Sequence, residues 1–131
     1  MKLRIAVLLS ASLGIGAIGL GYLVSPQFMY GLYGIGLETV NELNMVRSAY
    51  GGLFFGFAIL FLLGALRANL AKPALIALLT FMAGFALGRI VSVLVDGVPS
   101  PLILSLIVAE IAYTALAVYL LSMKNASHSS V

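Results

Sequence analysis

Residues Ser48–Leu66, SAYGGLFFGFAILFLLGAL, run for 19 positions without a charge between Arg47 and Arg67. At 1.5 Å per residue the stretch makes a helix about 28 Å long, enough to cross a hydrocarbon core of about 30 Å. Polar and apolar residues do not alternate along it, which excludes a spanning β-strand. Three more runs are of similar length: Ile5–Val24 after Lys2 and Arg4, Pro73–Val95 interrupted by Arg89, and Leu102–Met123 interrupted by Glu110. The whole chain agrees, with 131 residues that are 63% hydrophobic and 8% charged. Soluble domains carry about 25% charged residues, so there is too little polar surface here to cover a water-soluble globule. The length allows one domain, and the absence of Cys says nothing about redox compartment, because a membrane bundle needs none. The expected fold is an all-α integral membrane four-helix bundle. It comprises a single domain over 1–124, with helices over 5–24, 46–66, 73–95 and 101–123, and a polar tail over 125–131.

The connections fit that count. Ser25-Pro26 reads as an N-cap followed by Pro at the first helical position, opening an aromatic, Gly-rich and acidic segment over 26–43 that is expected to lie in the interface. Pro73 can start the third helix, where its missing N–H costs nothing. Asp96 to Pro101 reads as a tight turn. Lys2, Arg4, Arg67, Lys72 and Lys124 all fall on one side, whereas the first and third loops offer Glu38, Glu42 and Asp96. Basic residues in short loops mark the cytoplasmic side, which predicts both termini there and an outer aromatic belt of Tyr22, Tyr30, Tyr33 and Tyr50. A cleaved signal peptide is the rival for the first helix. Its apolar run exceeds the usual 7 to 15 residues, and no Ala-x-Ala site follows at Val24 to Gln27.

Close helix contact in lipid relies on small residues, because little hydrophobic force acts between helices there. Gly52-x-x-x-Gly56 and Gly84-x-x-x-Gly88 are therefore expected to be packing pairs, within one chain or between two. Ser10, Gly14, Ala17 and Gly21 line up on one face of the first helix.

The ionisable residues separate by depth. Arg47 can sit at the outer interface, since the 19 residues after it suffice to span. Arg89 cannot merely flank, because only 16 residues separate it from Lys72. Measured from the Asp96–Pro101 turn, Arg89 lies about 10 Å in and Glu110 about 13 Å in, at 1.5 Å per residue. They reach one level on adjacent antiparallel helices, and each costs about 2.5 to 3.5 kcal/mol at a helix centre. An Arg89–Glu110 ion pair, direct or through water, relieves both. Ser92 and Asp96 follow Arg89 at i+3 and i+7, Tyr113 and Thr114 follow Glu110 at i+3 and i+4, and Tyr50 follows Arg47 at i+3, so each set shares a helix face. The candidate cluster in the outer half of the bundle is Asn44, Arg47, Tyr50, Arg89, Ser92, Asp96, Glu110 and Tyr113.

Such a cluster can be glue that fixes helix register. It can equally line a pocket open to the outer leaflet, with an arginine holding a lipid phosphate, a carboxylate or a quinone carbonyl. Other chemistry has little foothold. His128 stands alone in the tail and no cofactor or metal is expected. Gly14-x-Gly16-x-x-Gly19 lies inside a spanning helix without the βαβ context of a dinucleotide site, and the few scattered basic residues exclude nucleic acid. Three functions remain: a non-enzymatic module that binds a lipid-like or quinone-like molecule or a membrane partner, an enzyme acting on a membrane substrate, and a small proton-coupled transporter working as a homo-oligomer. The enzyme lacks a nucleophile or metal. The transporter is disfavoured because such proteins place their glutamate in the first helix, which here has no charge between Arg4 and Glu38.

Asn44-x-x-Arg47-x-x-Tyr50-Gly51-Gly52, Gly88-Arg89-x-x-Ser92, Asp96-Gly97-x-Pro99-Ser100-Pro101 and Glu110 together resemble the bacterial membrane family known as domain of unknown function 4345, itself similar to the DoxX-like four-helix proteins. The resemblance covers about Ile5 to Leu121. It implies a four-helix bundle of the bacterial inner membrane. It implies no activity, and its pattern falls on Asn44, Arg47, Tyr50, Arg89, Asp96 and Glu110.

Overall fold

The computed structural model describes residues 2–126, so His128 and the end of the polar tail lie outside the described residues. The chain forms four helices long and apolar enough to cross a membrane. They are joined in an all-α bundle without strands among the described residues. The first spans Lys2–Val24 and the second Val40–Leu66. The third is Ala71–Asp96 and the fourth Pro101–Ala126.

Local chemistry sets the ends. Ser25, held out of the helical region by the proline after it (φ −140°, ψ 75°), breaks the first helix, and Pro26 opens a short helix, Pro26–Gly31. The chain then turns at Gly34, whose φ of +75° favours glycine. The second helix begins at Val40, six residues before the expected start at Val46, and so takes in the end of the segment over 26–43. The cause is a capping box. The Glu42 amide donates to Thr39 Oγ1 at 3.2 Å, while the Thr39 amide donates back to Glu42 Oε2 at 2.8 Å. The third helix likewise begins at Ala71 rather than Pro73, with Pro73 inside the first turn, where its missing N–H is harmless. It ends at Gly97, with φ +103°. The fourth continues past Lys124 to Ala126.

The second helix is not regular. Arg47–Gly52 forms a π-helical turn, the kind of insertion that often accompanies functional sites. It carries Gly51 against the first helix. A Cβ on Gly51 would lie 2.8 Å from Leu23 Cδ2, and one on Gly19 would lie 2.8 Å from the Phe55 amide nitrogen. First and second helices thus meet backbone to backbone. Ser12 Oγ, buried, adds a 2.8 Å hydrogen bond to the Ala58 carbonyl.

The core fills the end of the bundle near Lys2 and the Arg67–Leu70 turn, where Leu8, Phe61, Leu75, Leu78 and Ala117 are fully or almost fully buried. There Gly64 lets the second helix close onto Ala74 of the third. The fourth helix stands apart. Only 6% of its spanning stretch is buried, against 28–33% in the other three.

Candidate functional site

At the opposite end, between the first and second helices on one side and the third and fourth on the other, lies a cavity of about 960 Å³. Glycine makes much of the room. Cβ atoms built on Gly14, Gly84 and Gly88 would meet nothing within 4 Å, and all three residues line the cavity. The expectation that Gly84 and Gly88 pack helices together therefore fails within the chain: they hollow the third helix. Among the described residues Gly52 and Gly56 also pack against no other helix, the nearest atom being the Arg47 carbonyl oxygen 3.8 Å from a Cβ on Gly52. Close contact falls to Gly19, Gly51 and Gly64 instead.

Aromatic rings form the walls. Tyr22, Tyr30 and Tyr50 make a triangle with centroids 5.4–5.8 Å apart, and Tyr50 continues through Phe54 to Phe81 and Phe85. Tyr22 is 4% exposed and, with Tyr30, Tyr33 and Tyr50, lines the cavity, so the four rings expected as a belt turn toward this space. Edge-to-face contacts reward this inward turn, and burial first of all pushes the Tyr30 hydroxyl up to about 12, so it stays neutral at any physiological pH.

One ion pair interrupts the apolar wall. Arg89 Nε donates to both carboxylate oxygens of Glu110, at 2.8 Å and 3.0 Å. The two charges meet as their depths from the shared turn predict. Their side chains are 25% and 11% exposed, and the Phe85 ring supports the guanidinium 5.9 Å from its centroid. Nearby, Tyr113 donates to Ser10 Oγ at 2.9 Å and Ser10 donates on to the Val7 carbonyl at 3.0 Å, tying the fourth helix to the first. Thr114 reaches only the Glu110 backbone carbonyl, at 2.7 Å.

The cluster read from the sequence therefore divides. Tyr50, Arg89, Ser92, Glu110 and Tyr113 line the cavity. Asn44, Arg47 and Asp96 do not. Arg47 Nε donates to the Leu23 carbonyl at 3.2 Å, placing a cation at the negative C-terminal end of the first helix. Asp96 accepts from Ser92 Oγ at 2.8 Å, leaving Arg89 to Glu110. Sequence reasoning missed Ser10, Phe54, Phe81 and Phe85 as wall residues. Phenylalanine in a spanning helix carries no signal that separates a cavity wall from a lipid-facing side.

The chain belongs to the family described as domain of unknown function (DUF4345), whose model matches residues 2–121. No curated protein and no solved structure matches the chain.

Proposed function

We propose that this member of the family is a non-enzymatic, multi-pass module of the bacterial inner membrane, with both termini cytoplasmic, that takes a lipid-like or quinone-like amphiphile into the cavity. The observation that carries this is a 960 Å³ hollow with an apolar and aromatic wall and one pair of charged groups set into it. Ligand sites are typically concave and mostly apolar, with a few polar groups that fix orientation. Bare structural glue needs no surrounding space. The glycines at 14, 84 and 88 keep that space open, where any larger side chain would project into it. The side with Lys2, Arg4, Arg67 and Lys72 carries four of the seven basic residues, in the N-terminal turn and the short connection between the second and third helices, which supports its cytoplasmic placement.

Native mass spectrometry of protein purified in mild detergent tests the proposal. Wild type is expected to carry a stoichiometric amphiphile, and Gly84→Leu, which fills the cavity, to lose it while remaining folded. Retention of the same adduct by a folded Gly84→Leu variant would sink the proposal. A reporter active only in the periplasm, fused after Lys124, is expected to stay silent; activity would reverse the topology.

A further inference from the structure

The way Arg89 holds Glu110 restricts what else it can hold. Only Nε takes part in the pair. The two terminal nitrogens of the guanidinium make no hydrogen bond to the described residues, and neither is among the fully buried side-chain atoms without a partner. Arg89 lines the cavity, so its unbonded fork lies beside that space. Three hydroxyls of the lining are already committed as donors: Tyr113 to Ser10, Ser10 to Val7, and Ser92 to Asp96.

Charge then narrows the acceptor. Arg89 and Glu110 are the charged residues of the lining, so the pair is neutral as a unit. A phosphate or carboxylate entering this space would lose its hydration, face the Glu110 carboxylate, and find no second cation to offset either cost. A carbonyl oxygen meets neither penalty and accepts two N–H groups from a planar fork. Resting on the proposed amphiphile site, the geometry points to a net-neutral amphiphile that presents a carbonyl, whether of an ester or of a quinone, to the terminal amino groups of Arg89. Glu110 acts as the specificity-determining residue that excludes anionic headgroups.

The test is a titration of delipidated protein in mild detergent with dioleoylglycerol, decylubiquinone, dioleoylphosphatidic acid and squalane, with bound mass read by native mass spectrometry. At least one of the two carbonyl probes is expected to bind roughly tenfold or more tightly than both phosphatidic acid and squalane, and the better of the two tells ester from quinone. Glu110→Gln, which leaves Arg89 uncompensated, is expected to shift the ranking roughly tenfold toward phosphatidic acid. Strongest binding of phosphatidic acid to wild type, or squalane binding as well as the carbonyl probes, overturns the assignment while leaving an amphiphile site in place. An unchanged ranking in folded Glu110→Gln also overturns it. If no probe binds wild type, the site itself is refuted. Should Glu110→Gln fail to fold, the wild-type ranking decides alone.

Discussion

The two ends of the bundle use the same residue types for opposite ends. Near the Arg67–Leu70 turn, Gly64 draws two helices into contact and Phe61 is wholly buried. Toward the Gly34 turn, a Cβ on Gly84 would meet nothing within 4 Å and Phe85 forms part of a cavity wall. Glycine in a spanning helix thus serves either as a groove for a neighbour or as a hollow for something absent from the chain. Spacing does not mark the difference in the expected way: the pairs Gly52-x-x-x-Gly56 and Gly84-x-x-x-Gly88 are the open ones, and the close contacts fall to Gly19, Gly51 and Gly64. What separates them is the distance to the next helix, which the short Arg67–Leu70 turn keeps small. At the other end the fourth helix leans on the third and little else.

The same substitution at both ends breaks or sharpens this contrast most strongly. Gly64→Leu must push the second helix off Ala74 and the Leu70 carbonyl, at an expected cost of about 3 kcal/mol or more. Gly84→Leu is expected to change stability by less than about 1 kcal/mol while closing the cavity. Unfolding in graded denaturing detergent measures both, and equal losses would erase the distinction. Next comes the ion pair. Arg89→Met alone strands Glu110 and is expected to cost on the order of 3 kcal/mol, whereas Arg89→Met with Glu110→Gln recovers most of it; a double variant as unstable as the single one would mean that the charges do not stabilise each other.

Smaller effects come from the rings. Phe61→Ala is expected to cost about 2 kcal/mol, below the usual range for buried phenylalanine because lipid is as apolar as the core, so the loss is one of packing. Phe85→Ala, beside space that is already open, should cost under half of that by the same assay. The smallest expected effect is Tyr113→Phe, a few tenths of a kcal/mol in stability, seen chiefly as faster amide exchange in the fourth helix. Ser12→Ala, by contrast, should cost about 0.6 kcal/mol without altering exchange there.

Charge and length were legible in the residues alone. Four apolar runs, two of them broken by a single charge, produced four helices, and counting from one shared turn brought Arg89 to Glu110. Helix rise is a constant of the backbone, so depth follows from residue number alone. The capping box at Thr39-x-x-Glu42 was legible too, but the aromatic and glycine content of its surroundings masked it. Facing was not legible. Tyr22, Tyr30 and Tyr50 look the same in sequence whether they meet headgroups or one another, and the π-helical turn at Arg47–Gly52 rotates Tyr50 away from where a regular helix would put it. Arg47 likewise shares its spacing with a ligand-holding arginine, yet serves the carbonyl end of the first helix.

The Arg89–Glu110 pair also bears on how the chain is made. The third helix cannot enter the bilayer cheaply with its guanidinium bare, nor the fourth with its carboxylate, each charge costing about 2.5 to 3.5 kcal/mol near a helix centre. A connection of four residues, Gly97 to Ser100, joins them, so the two helices can leave the insertion machinery together as a neutralised hairpin. A nascent chain ended at Asp96 is then expected to integrate its third helix less efficiently than one extended through the fourth, as glycosylation mapping in microsomes would measure; equal integration would remove the requirement. On this view the fourth helix is first of all the escort that carries an arginine into lipid.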